Sequence, residues 1–216
     1  ATLFENISIT FDCLFTATTG GILSGNNAVS NNYKDIQIIA EDGKINTLSQ
    51  SSSDSKFENV TVESMKMNYV YGTSPSVEGV TFKEIKVVTL TNNQDILLTN
   101  ETYAISLGSE STGLTVNSIT CNGVDLGTNL SNLDMSAIKR DMTKHGITNV
   151  IVKGEKDGNK VTIIAPVTLV TKMISTQDEL RSVVTTITDT TLNAIFGYYK
   201  LANDIDYSDG FISHTM

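Results

Sequence analysis

The chain has 216 residues and a formal net charge of −9, with 39% hydrophobic and only 18% charged residues. An acidic chain with no basic stripe argues against nucleic-acid binding and against docking on anionic lipid. No run of 18 apolar residues is present to span a bilayer, and no basic region followed by an apolar stretch marks a signal peptide.

The first ninety residues rewrite one short phrase. FENISI begins at Phe4, YKDIQI at Tyr33, FENVTV at Phe57 and FKEIKV at Phe82, with intervals of 29, 24 and 25 residues. A period in this range points to a solenoid. Within FENVTV, Val60 and Val62 share one strand face, whereas Phe57 has the wrong parity for a straight strand. A sharp corner at the third position would turn all three inward, and Asn tolerates the left-handed backbone it needs. That position holds Asn6, Asp35, Asn59 and Glu84, of which the first three suit it. The pattern predicts a short right-handed parallel β-helix over residues 1–92, its coils stacked about 4.8 Å apart. Phe4, Tyr33, Phe57 and Phe82 would form an aromatic ladder, and Ile7, Ile36, Val60 and Ile85 an aliphatic one. A second strand is expected at SMKMNYVYG, with Met65, Met67, Tyr69 and Tyr71 inward and Val70 outward. The competing reading is a β-sandwich whose strands begin alike. TGGILSGNN, at 19–27, has phosphate-loop glycine spacing, but Asn26 and Asn27 replace the Lys and Ser/Thr that bind phosphate. It reads as a loop protruding from the first coil.

Residues 93–172 have a different texture. Strands are expected at DILLTN, TYAISL, LTVNSITCNGVDL, TNVIVKG and NKVTIIAPVTLVTK, with a hairpin turn at Asp157-Gly158. Pro166 should mark an edge strand or a bulge, because it cannot donate to a ladder. A short helix is expected from about Asp134. This spacing of short strands suggests an immunoglobulin-like β-sandwich. Cys13 and Cys121 fall in different predicted domains and read as two buried thiols.

From residue 173 to 216 the expectation is an amphipathic helix, then the start of a further β-region. Thr176 and Glu179 form a capping box, and Leu180, Val183, Val184 and Ile187 follow at helical spacing. Tyr199, Leu201 and Ile205 suggest a strand and a turn. The helix would cap a second solenoid. The FENVTV-type coils, the APVTLVTKMIST exit and GYYKLANDIDYS together resemble large bacterial cell-surface proteins. Those proteins combine pectate-lyase-like parallel β-helix repeats with immunoglobulin-like modules. The resemblance implies an exported, wall-displayed protein of adhesive or polysaccharide-directed type, continuing into adjacent domains of a longer polypeptide.

The chemistry-bearing residues are few. β-helix enzymes that cleave polysaccharides use outer-face carboxylates, for which Asp35, Glu58, Glu63 and Glu84 are the candidates. They alternate with lysines such as Lys34 and Lys83, as a solvated face does. A lyase would need a base, for which Lys66 or Lys86 is available. Asp204, Asp206 and Asp209 are spaced like half a calcium loop, but Gly210 is misplaced and Thr215 stands where the distal Glu belongs. A polar turn is the simpler reading there. His145 and His214 lack metal partners at useful spacing, and no cofactor motif is present. The sequence thus assigns no catalytic residue and favours a non-catalytic adhesive or structural segment at the cell surface, contacting a polysaccharide or a host ligand. The alternatives are a fragment of a polysaccharide lyase or glycoside hydrolase, and a trimeric phage tailspike or fibre segment.

Overall fold

A left-handed residue sits at the corner of each of the first three hexamers. Asn6, Asp35 and Asn59 have φ of 56°, 52° and 51°, in the region short polar side chains tolerate best. The structure, a computed structural model, describes residues 2–11, 16–24, 30–49, 55–71, 74–188 and 197–205. It is mostly β, with parallel sheets, and divides into two compact units. The first comprises residues 1–87 and 155–162, the second 88–154 and 163–216.

In the first unit, β1 (Thr2–Phe11), β3 (Asn31–Ser49), β4 (Lys56–Tyr71) and β5 (Val80–Glu84) lie side by side in chain order, and β2 (Thr16–Ser24) pairs with β3. Pairing is parallel from β1 through β4: Phe4 lies opposite Tyr33 and Tyr33 opposite Phe57, while Ile7, Ile36 and Val60 align in turn. Parallel register puts like on like, so the rings stack, with centroids 5.5 Å apart for Phe4–Tyr33 and 5.3 Å for Tyr33–Phe57. Polar residues stack too: Asn59 Nδ2 donates to Asp35 Oδ1 at 2.7 Å and Asn68 Nδ2 to Asn46 Oδ1 at 2.9 Å. Tyr33, Ile36, Ile38, Ile45, Leu48, Val60 and Val62 form the buried core.

The fourth hexamer departs from the predicted ladders. Phe82 pairs with Val62 rather than Phe57, and it is exposed. Ile85 is buried, but its amide donates to Ser64 O rather than aligning with Val60. The cause is a shorter return. Gly79, at φ 84°, passes so close to β4 that a Cβ there would lie 1.9 Å from Phe57 O. Its carbonyl accepts from Val60 N at 2.9 Å. Pairing therefore resumes at Val80, and Val77 and Val80 pack on the core in place of Phe82.

Two smaller expectations also change. Val70 is buried rather than outward, because its amide already turns to Ser74 O and strict alternation lapses. Gly20 to Ser24 belong to strand β2 instead of a protruding loop; residues 25–29, like Cys13, lie outside the described residues.

The second unit is built on a six-stranded sheet. Its strands are β6 (Lys86–Thr89), β7 (Gln94–Leu97), β8 (Thr115–Cys121), β9 (Val124–Asp125), β10 (Gly146–Lys156) and β11 (Asn159–Val170). The order is β6-β11-β10-β8-β9, with β7 also on β11. Asp157 and Gly158, at φ 53° and 76°, make the expected hairpin turn. LTVNSITCNGVDL is two strands, split at Asn122-Gly123, where φ is 48° and 74°. TYAISL is extended, with Tyr103, Ile105 and Leu107 buried, but it is not a ladder strand. Ile105 N donates to Leu130 O, and Leu133 N to Tyr103 O. Pro166 lies in an interior strand, where β11 changes neighbours: Leu90 N bonds Ile164 O before it, and β7 pairs from Val167 after it. The missing donor falls in that gap.

Asp134 accepts from Ser136 N at the start of helix α1 (Ser136–Arg140). Helix α2 (Gln177–Thr188) carries the predicted cap, with Glu179 N donating to Thr176 Oγ1 and Ser175 N to Glu179 Oε2. The side chains of Val184 and Ile187 lie outside the described residues. The short strands β12 (Lys172–Ile174) and β13 (Tyr199–Leu201) flank α2 and pair in parallel.

The corner and the close return are testable by urea unfolding. Asn59→Val forces a β-branched residue to positive φ and should cost about 1–3 kcal/mol, whereas Asn59→Gly, losing only an exposed hydrogen bond, should cost less than about 1 kcal/mol. Gly79→Ala should destabilise more than either, since its Cβ meets backbone.

Candidate functional site

Parallel register also gathers charge in the first unit. Glu63 is paired with Lys83 across β4 and β5, and Ser64 with Glu84. The hairpin residues 155–162 belong to the same unit and add Glu155 and Lys160. These groups line a cleft of about 150 Å³ with Ile85, Gly158 and Asn159.

Glu63 is the centre of the cluster. It is buried, yet both carboxylate oxygens are engaged: Oε1 lies 3.8 Å from Lys83 Nζ and Oε2 3.0 Å from Lys160 Nζ. Lys160 also reaches Glu41 Oε1 at 3.2 Å. Burial alone would lower the Lys160 pKa, but hydrogen bonds and attraction from Glu63 and Glu41 outweigh it and raise it above the ordinary lysine value. A lysine held this firmly protonated is a poor proton-abstracting base near neutrality. The arrangement is a charge-compensated network that satisfies a buried carboxylate.

The predicted residues distribute as follows. Glu63, Glu84 and Lys83 meet in the cleft, but Asp35 and Glu58 do not. Asp35 bonds Asn59, and Glu58 pairs with Lys34 at 3.2 Å on an exposed surface. Lys66 and Lys86 are solvent-exposed and do not line the cleft. Sequence reasoning missed Glu41, Glu155 and Lys160, since the last two stand about a hundred residues from Glu63. The charged EKDGNK hairpin tip was their one visible signal. Tyr69 is half-buried, and the side chain of Tyr71 is not described. Asp204 is exposed, while Asp206, Asp209 and His214 lie outside the described residues. Among the described residues no group of three or more His, Cys, Asp or Glu is placed to hold a metal ion.

In the second unit a wider hollow of about 490 Å³ is lined by Leu90, Thr91, Asn92, Ser109 and Glu110 among others. Gln94 beside them is committed to backbone: it donates to Ser106 O and accepts from Ser106 N, both at 2.8 Å. Cys121 is a buried free thiol, pushed up to about 11 by burial and therefore poorly nucleophilic at neutral pH. No helix is long and apolar enough to cross a membrane among the described residues. Comparison with known proteins found no matching family model, no matching curated protein and no matching solved structure.

Glu63→Gln should cost about 1–3 kcal/mol in urea unfolding, because it leaves two lysines short of a partner at a buried position. Lys83→Met, removing an exposed end of the network, should cost less than about 1 kcal/mol. Since the Lys160 pKa is raised, its stabilisation is complete below about pH 10.5 and is lost as pH rises through the folded-state value. In Lys160→Met that alkaline loss should shrink.

Proposed function

We propose that this chain is a non-catalytic structural and adhesive segment of an exported bacterial cell-surface protein. Its first unit is read as a short right-handed parallel β-helix. Its second is read as an immunoglobulin-like sandwich leading through α2 into a further β-region. One observation carries this reading: three successive hexamers pair in parallel and in register across intervals of 29 and 24 residues. A coil that advances one strand per turn and stacks like side chains gives a stiff rod, suited to holding neighbouring domains at a distance. Right-handed connection between parallel strands follows from strand twist. A further parallel pair, β12 with β13, has an interval of 27 residues, consistent with stacking resumed. Placement at the cell surface rests on the resemblance and on a surface made of Ser, Thr, Asn and Gly. Ligand contact, with a polysaccharide or host surface molecule, is assigned to polar loops.

A second reading, a polysaccharide lyase or hydrolase remnant, is favoured by the convergence of Glu63, Glu84 and Glu155 with two lysines on one cleft. The full engagement of Glu63 and the protonated state of Lys160 count against it.

Incubation with a panel of acidic and neutral polysaccharides should give no new reducing ends and no unsaturated uronate. Turnover abolished by Glu84→Gln would replace the adhesive reading with the enzymatic one. A homotrimer in light scattering would turn the assignment to a fibre.

A further inference from the structure

We propose that His145 is the pin of a pH-sensitive latch, which fastens residues 197–202 to the rest of the second unit at neutral pH and loosens in mild acid. The inference rests on hydrogen-bond geometry and is independent of the surface-protein reading.

His145 Nε2 lies 3.0 Å from Ile138 O, a group that only accepts. Nε2 therefore carries the ring proton, and Nδ1 presents a lone pair. Thr171 Oγ1, at 2.8 Å from Nδ1, donates to it. The same hydroxyl accepts from Tyr198 N at 2.7 Å, and Thr171 N donates to Tyr198 O at 2.7 Å. One neutral tautomer thus satisfies every group in a chain from α1 to the approach of β13. Among the described residues the segment is also held by the three-residue β12–β13 pair, the Ala202 N to Ile174 O bond, the Lys200–Asp95 ion pair and the close approach of the Tyr198 ring to Gly146. The latch is one of these fastenings.

Protonation reverses the polarity at Nδ1. The Thr171 hydroxyl must then accept from both Nδ1 and Tyr198 N, and its own proton loses its partner. A part-buried ring also gains a charge. On the ring's own segment, Asp141 favours that charge but is itself engaged by Lys144 and Thr143. On the facing segments, Lys172 is paired with Glu179 and Lys200 with Asp95, so among the described residues these carboxylates are already engaged. Burial outweighs Asp141 and holds the His145 pKa below its ordinary value. With the folded value depressed, the latch is intact above about pH 6.5 and weakens as pH falls through the folded-state pKa.

The test is amide hydrogen exchange on the full chain, read by NMR from about pH 7.5 to about pH 5 and corrected for intrinsic rates. Protection of Thr171 and Tyr198 should fall severalfold, while Val150 and Val152 in β10 keep theirs. His145→Gln, which retains an acceptor and a donor without titrating, should flatten that dependence. Thr171→Val should lose protection at Tyr198 already at neutral pH. Protection that is constant with pH in the wild type, that falls equally in His145→Gln, or that falls together with Val150 and Val152 overturns the proposal.

Discussion

Parallel in-register pairing is the constraint from which the first unit follows. When a strand pairs with a copy of itself running the same way, each side chain meets its own kind. The rings of Phe4, Tyr33 and Phe57 then stack, the aliphatic residues merge into one core, and Asp35 and Asn59 pair side by side. No single strand could bury its apolar face alone; its parallel neighbours complete it. The left-handed corners at Asp35 and Asn59 accompany a buried Tyr33 and a half-buried Phe57, while Phe4, on the first strand, stays exposed despite its corner at Asn6.

The same register explains why carboxylates gather into a charge-compensated cluster. Stacking sets Glu63 next to Lys83 and Lys34 next to Glu58, so opposite charges meet across strands. Where burial is deepest, at Glu63, a second lysine arrives from the hairpin tip. A buried carboxylate requires such compensation, and once compensated it has little freedom to exchange protons with a substrate. His145 follows a different logic. Its ring is satisfied in one neutral tautomer by groups distant in sequence, which makes it sensitive to the protonation that the ion-pair network resists.

The local features were legible because they depend on local chemistry. The three corner residues were identified from parity and from the preference of Asn and Asp for positive φ. The Asp157-Gly158 turn and the Thr176–Glu179 cap were visible for the same reason. The split at Asn122-Gly123 was equally legible, since Asn-Gly is a strong hairpin signal, but the expected element there is one strand. TYAISL shows the limit of periodicity: Tyr103, Ile105 and Leu107 are buried in alternation, yet their backbone partners are loop residues.

By itself the sequence determined the repeating unit, the parallel pairing of its first three copies and the points where the chain turns, because those are written in residues a few positions apart. The tertiary structure alone decided where the fourth hexamer docks, since that depends on Gly79 passing Phe57 within van der Waals distance. It also decided the company kept by Glu63 and His145. Lys160 comes from β11 and Thr171 from the bend that follows it, and no local pattern encodes a contact that exists only once the sheets have formed.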